Sequence, residues 1–230
     1  MSAADTTDPT PARPDRSRRR LAALLRERNQ CLADPTGAAR VADIDRTIRD
    51  TFERRLAILA LDMCGFSRLT ASHGILFFLS MIVQMEDAAR PAVANNGGHV
   101  FKQDADNLFA VFPTPAQAVE GALDIFLAFQ AVNNVVPGER DIQGSVGIGY
   151  GDLLVLEGPG GDVEDVFGHE MNAGSRLGED VASGSEILLT PAAATALPPG
   201  MYQLEEKTEE YRGTAVHFHR YAGRAADGTS

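Results

Sequence analysis

Apolar residues recur along this chain with two periods, and the switches between them predict its elements. From Ser17 to Cys31 the spacing is helical, with Leu21, Leu24, Leu25 and Leu32 on one stripe. Asp34-Pro-Thr-Gly37 breaks that helix. A second helix is predicted from about Ala38 to Glu53, carrying Val41, Ile44, Ile48 and Phe52 at helical spacing. Leu56 to Leu61 is a continuous apolar run, a buried strand by its length and flanks, and it ends at Asp62-Met-Cys-Gly65. Helical spacing resumes from about Phe66 to Ala94, before a turn at Asn95-Asn-Gly-Gly98. Two short strands follow, residues 99–103 and 107–112, joined through Asp104-Ala105-Asp106. Thr114-Pro-Ala-Gln117 opens a helix with Ala118, Leu123, Phe126 and Leu127 inward, and Pro137-Gly138 stops the chain again.

Residues 142–156 read as two strands around Gly149–Asp152, followed by a flexible loop at 158–161. A helix is predicted from about His169 to Ala182, then a strand over 186–190 and terminal strands over 202–204 and 215–221. The order β-α-β-β-α-β with later additions points to a ferredoxin-like α+β layer, an antiparallel sheet with helices on one face.

The 230 residues divide unevenly in composition. Residues 1–14, with Pro9, Pro11 and Pro14, read as a disordered tail. Residues 15–53 form a helical extension, 54–222 the main domain and 223–230 a flexible tail. Two charged helices before a domain suit either partner docking and dimerisation or packing on their own domain. The net charge is −11, yet residues 1–50 carry ten Arg against eight acids. The remaining 180 residues carry 11 basic and 24 acidic groups. An acidic body argues against nucleic-acid binding, which needs a basic face.

Cys31 and Cys64 are the only cysteines, which excludes a disulfide scaffold and a Cys-based zinc site. The longest apolar run, Ile75 to Val83, is too short to span a membrane. Arg26 cuts short the apolar stretch behind the N-terminal arginines, so a signal peptide is not expected. The expectation is a soluble, cytoplasmic protein.

Asp62 closes an apolar strand, where it could simply cap a following helix. Asp106 lies in a hairpin, where it could simply be a turn residue. If their strands are neighbours, the two carboxylates meet at one sheet edge. Without His or Cys, such a pair suits Mg²⁺ or Mn²⁺ with substrate phosphates completing the shell. Asn172 and Arg176 are four apart on a predicted helix and share a face. Arg176 suits charge developing on a phosphate, or else a surface pair with Glu179 or Asp180. Asp165 precedes Gly168, where that helix begins, and Lys102 lies on the strand before the hairpin. Gly147-Ile-Gly-Tyr-Gly151 has no helix directly after it, so it is not a dinucleotide fingerprint. His217 and His219 share a strand face but lack a third ligand, so no metal is assigned to them.

Taken together, four blocks between about residues 56 and 221 resemble the catalytic domain of class III nucleotidyl cyclases. Leu59-Ala-Leu-Asp62-Met-Cys-Gly-Phe66-Ser resembles the family's first metal block. Gly97-Gly-His-Val-Phe-Lys102-Gln-Asp-Ala-Asp106 and the strand to Phe112 resemble its second. Val146-Gly-Ile-Gly-Tyr-Gly151 resembles a family strand, and Asp165-Val-Phe-Gly168-His-Glu-Met-Asn172-Ala-Gly-Ser-Arg176 resembles the block that ends in the transition-state arginine.

The resemblance implies that Asp62 and Asp106 bind two ions, Mg²⁺ or Mn²⁺, with the Met63 carbonyl assisting. It implies that Lys102 and Asp165 read the base, Asn172 orients ribose or triphosphate, and Arg176 stabilises the transition state. Arg212 is the nearest match to a phosphate-gripping Lys. Ala105 stands where the family has Gly, Asp104 adds an acid, and Gly174 stands where Ala is usual.

The implied reaction is attack of the ribose 3′-oxygen on the α-phosphate with release of pyrophosphate. The implied partner is a second copy of the chain, forming a homodimer with sites at the interface. Lys102 only donates and ionised Asp165 only accepts, which fits adenine or cytosine and mismatches guanine. A mismatched buried polar group costs about 1–3 kcal/mol. The resemblance favours ATP; the alternatives are a cyclase acting on CTP or GTP, or a catalytically weak dimerising module. Retention of Asp62, Asp106, Asn172 and Arg176 counts against the last.

Overall fold

A computed structural model describes residues 13–64, 74–135 and 141–225. Most of the expected N-terminal tail, residues 65–67 of the first metal block, the start of the helix expected from Phe66, the Pro137-Gly138 stop and residues 226–230 lie outside them. The chain opens with helices α1 (Arg18–Leu32) and α2 (Ala38–Phe52). It continues through β1 (Glu53–Met63), α3 (Ile75–Asn95), β2 (His99–Asp104), β3 (Asn107–Phe112) and α4 (Pro115–Val135). After these come β4 (Gly144–Glu157), β5 (Val163–Phe167) and α5 (His169–Arg176), the last running into a π-helical turn at Leu177–Val181. β6 (Ile187–Leu189), α6 (Pro191–Thr195), β7 (Tyr202–Tyr211) and β8 (Thr214–Arg224) complete it.

The eight strands form one sheet in the order β2-β3-β1-β4-β6-β8-β7, with β5 paired to β4. All pairings are antiparallel except β4 with β6. The α+β class expected from the sequence is the class observed.

β1 is central because its apolar run has two buried faces. Leu59 and Leu61 point to one face, where they meet Val146 and Ile148 of β4, Met81, Met85 and Val93 of α3, and Ala122, Ile125 and Phe129 of α4. Ile58 points to the other, with Leu153 and Val166. Full burial of each such side chain contributes about 1.5–3 kcal/mol.

The second face is where α5 lies, and a row of glycines makes room for it. A Cβ at Gly147 would sit 2.0 Å from the Gly174 carbonyl oxygen, and one at Gly149 would sit 2.2 Å from that of Glu170. Helix backbone therefore rests directly on strand backbone. Glu170 fixes the contact by accepting from Thr190 Oγ1 at 2.6 Å and the Tyr150 N–H at 3.1 Å. Buried Ser145 donates to the Gly178 carbonyl at 2.9 Å.

α1 and α2 pack on their own domain. Leu21, Leu24, Ile44, Ile48 and Phe52 form a small core with Leu156 of β4. Because α1 buries only the face turned to α2, Leu25 and Leu32 of the expected stripe are exposed. Leu127 of α4 is likewise exposed, while Ile125 and Phe129 take the inward positions. Ahead of α1, Arg16 Nη1 pairs with Glu157 at 3.0 Å, and the Glu157 N–H donates to the Arg16 carbonyl at 3.1 Å. Arg13 also pairs with Glu157, at 3.2 Å, so the end of the expected tail is held at the β4 terminus.

Three expectations are corrected. In place of two strands over 142–156 there is one long strand, Gly144–Glu157, since the glycines serve helix packing and not a turn. Asp165 lies on a short strand, β5, paired with β4. β8 runs to Arg224, so its ladder with β7 takes in the first residues of the expected C-terminal tail. Among the described residues no helix is long and apolar enough to cross a membrane.

The glycine row gives a direct test. Gly149→Ala should destabilise the fold by at least about 2 kcal/mol, because backbone on both sides must move. Gly158→Ala, whose Cβ would meet only the Asp162 carbonyl at 3.9 Å, should stay within about 0.5 kcal/mol of the parent. Denaturant unfolding of the two variants measures both.

Candidate active site

The last residues of β1 bring the acids together. Asp62 pairs in register with Asn107 of β3 and Ser145 of β4. The Met63 N–H donates to the Asp106 carbonyl at 3.2 Å, which draws the β2–β3 hairpin against the end of β1. The Asp62 carboxyl is pushed up to about 7, first by burial and then by the negative charge of Asp106, Glu179 and Asp180. Burial also raises Asp106, with Asp104 adding to it. Glu179, on the π-helical turn, is raised by burial and by Asp180, Asp106 and Asp104, with Lys102 opposing.

The donor set fits a divalent cation. Oxygen ligands predominate, the carboxylates repel one another, and no base pairs with Asp62 or Asp106 among the described residues. Beside them, Asn107 Oδ1 is buried without a hydrogen-bond donor. Among the described residues no three His, Cys, Asp or Glu side chains form a ready cage, so further ligands must come from elsewhere. The Met63 side chain is buried in the core on the opposite face, which leaves only its backbone for the site.

Lys102 is exposed on β2, its Nζ 5.8 Å from the centre of the Phe109 ring. Asp165 is half-buried on β5. The two strands pack together, with Phe101 and Val163 in one apolar cluster. Asp165 accepts at Oδ1 from the Val166 N–H at 2.9 Å and at Oδ2 from Arg18 Nη2 at 2.7 Å.

Asn172 and Arg176 share a face of α5 and line a cavity of about 490 Å³ whose far wall is Thr190, Pro191 and residues 215–217. Arg176 is exposed and forms no ion pair among the described residues, so the surface pair with Glu179 or Asp180 is not made. Neither Asp62 nor Asp106, nor Lys102 or Asp165, lines this cavity.

Arg212 sits at the tip of the β7–β8 hairpin. It and Gly213 both have positive φ, 50° and 78°. That two-residue turn favours Asn-Gly, so the turn itself gives no reason for an Arg there. Arg212 stacks on Tyr211, whose hydroxyl donates to Asp180 at 2.7 Å and ties the hairpin to the π-helical turn. Sequence reasoning missed Glu179 and Asp180 as neighbours of the paired aspartates and missed Arg18 altogether. The acids carried a signal in their adjacency, and Arg18 carried none.

Comparison with known proteins supplies the fold's context. No family model matches the chain. A curated relative named "Putative adenylate cyclase 3", of Rhizobium meliloti (strain 1021), is 31% identical over 130 residues. Those residues are 56% of this chain, and they span only 21% of that relative's length. Among solved structures, the guanylyl cyclase Cya2 superposes with a TM-score of 0.64 at 18% identity, covering 77% of this chain and 96% of that one. An adenylate/guanylate cyclase/hydrolase from Silicibacter pomeroyi matches at 0.60 and 25% identity, over 74% of this chain and 96% of its own. The adenylyl cyclase CyaB from P. aeruginosa matches at 0.62 and 17%, over 74% and 94%.

One departure of the β2–β3 hairpin has a measurable cost. Ala105, directly before Asp106, has φ +51°, the left-handed region that favours glycine. A non-glycine residue there loses about 1–2 kcal/mol. Ala105→Gly should relieve that strain, less about 0.4–1 kcal/mol for greater freedom of the unfolded chain. A net gain of about 0.5–1 kcal/mol is expected in thermal or urea unfolding.

Proposed function

We propose that this chain, whose fold is that of class III nucleotidyl cyclase catalytic domains, converts ATP to 3′,5′-cyclic AMP and pyrophosphate. The observation that carries the reading is the Asp62–Asp106 pair, two carboxylates brought to one end of the sheet with no base paired to them among the described residues. Asp62 and Asp106, with the Met63 carbonyl, would hold two Mg²⁺ or Mn²⁺ ions. Bound there, the ions supply positive charge to the 3′-oxygen and to the triphosphate.

The chain's own groups do the rest. Arg176, facing a cavity and without an ion pair among the described residues, is placed to meet charge developing at the α-phosphate. Asn172, one turn away, orients the ribose or triphosphate. Arg212 grips phosphate, a role supported by its position in a turn that otherwise disfavours it. Lys102 and Asp165, on neighbouring strands, read the base: Lys102 donates to adenine N1 and Asp165 accepts from the amino group. Guanine reverses both partners. The curated relative's name agrees with adenine, while a guanylyl cyclase among the structural neighbours keeps GTP as the competing substrate.

Product analysis tests this reading. The purified protein with Mn²⁺ or Mg²⁺ should release cyclic AMP and pyrophosphate from ATP, as identified by mass. Turnover of GTP or UTP alone, among the four ribonucleoside triphosphates offered separately, would refute the base assignment.

The Asn172–Arg176 cavity contains no metal-site acid, which supports a site shared between two copies in a twofold homodimer. Asp106→Ala and Arg176→Ala should each be inactive alone, the latter losing on the order of 10²–10³ in rate. In a mixed dimer one site receives both defects and the other neither. With free exchange, activity should return to about a quarter of the parent value. Mixed dimers verified by mass that regain nothing would place both halves of the site in one chain.

A further inference from the structure

The N-terminal helical extension reaches the base-reading strand. Arg18, the first residue of α1, donates from Nη2 to Asp165 Oδ2 at 2.7 Å, and its Nε lies 3.6 Å from Glu164 Oε1. The other Asp165 oxygen takes the Val166 N–H. The carboxylate is thus held at both ends, in one rotamer, with a lone pair still open on each oxygen.

Helix stability does not explain an arginine at this place. The first turn of α1 holds Arg18, Arg19 and Arg20 and no acid, so positive charge sits at the positive end of the helix dipole. Nor is the backbone that carries it loosely placed. Arg16 bonds Glu157 and, through Nε, the Thr51 carbonyl at 2.7 Å, while Leu21 and Leu24 anchor α1 in the small core over Leu156. The backbone carrying Arg18 is fixed to the same β4–β5 hairpin that carries Asp165.

We infer that Arg18 is a positioning residue for nucleotide selection: from the helical extension it orients the Asp165 carboxylate to accept the exocyclic amino group of the base. The inference rests on the assignment of Asp165 to base recognition. Arg18 touches neither metal-site acid nor Arg176, so its loss weakens nucleotide binding and base discrimination without slowing chemistry. The guanidinium is largely solvent-exposed, which keeps the effect modest.

The test uses the full chain and four variants: Arg18→Ala, Arg18→Lys, Arg19→Ala and Asp165→Asn. Arg19 makes no ion pair among the described residues, so its loss removes the same charge from the same turn without touching Asp165. Steady-state rates with ATP and GTP give KM and kcat. Equilibrium binding of 3′-deoxy-ATP, which cannot cyclise, reads affinity without turnover.

For Arg18→Ala, KM for ATP and Kd for 3′-deoxy-ATP should each rise about three- to fivefold. The ATP-over-GTP preference should fall with kcat unchanged. Arg18→Lys should recover part of the loss, and Arg19→Ala should match the parent. Unchanged binding and preference in Arg18→Ala, or tighter binding, would overturn the inference. If Asp165→Asn shifts preference while Arg18→Ala does not, only the role of Arg18 fails. If Asp165→Asn shifts nothing, the base assignment fails and the role of Arg18 with it.

Discussion

Helix α5 can lie on strand β4 only where the strand has no side chains, and the positions of the functional groups follow from that contact. With Gly147 and Gly149 beneath it, the helix approaches until its carbonyls fill the space that Cβ atoms would take. Glu170 and Ser145 then lock it by hydrogen bonds to the strand and to the turn that follows. Asn172 and Arg176 are held from backbone to backbone, with no intervening side chain to change rotamer. The π-helical turn begins over Gly147, whose Cβ would sit 2.4 Å from the Gly178 nitrogen, and it carries Glu179 and Asp180 toward the end of β1. Such turns recur at functional sites because they re-aim side chains that a regular helix would turn away.

That placement has an electrostatic result. Asp62, Asp104, Asp106, Glu179 and Asp180 share one end of the sheet, and the first of them titrates near 7. Burial disfavours the charges of Asp62, Asp106 and Glu179, and the neighbouring carboxylates add to it. Among the described residues, Lys102 opposes the shift of Glu179. A folded domain keeps such a cluster at a cost to its own stability, and cations or a cation-bearing ligand reduce that cost. The mainly acidic body of the chain is therefore not evenly spread charge; part of it converges on one place.

The candidate residues could be picked out of the sequence because their spacing is local. Asp62 ends an apolar run, Asp106 sits in the tight turn between two short strands, and Asn172 and Arg176 are one helical turn apart. Each relation survives without knowledge of the fold. What could not be read depends on tertiary contact. Gly147, Gly149 and Gly151 look like chain reversals until a helix is known to press on them, so β4 was divided in two. β5 was missed because Val163-Glu-Asp-Val-Phe167 is short and half acidic. The Arg18–Asp165 pair spans 147 positions and has no local signature. Leu25 and Leu32 fit the helical stripe of α1, yet α2 covers only one side of it.

That β4 is a single strand also sets a length. From Ser145, beside Asp62, to Glu157, held by Arg16, the chain is extended and laddered, a run of about 40 Å at 3.3 Å per residue. Peptide geometry makes this strand a ruler. Its two ends cannot be brought nearer or drawn apart without breaking the backbone ladder to β1, which reaches as far as Leu154. Motion of the helical extension against the acidic end is limited to twisting and tilting of the sheet as a whole. Whatever passes between these two regions does so as torque, not as a change of distance.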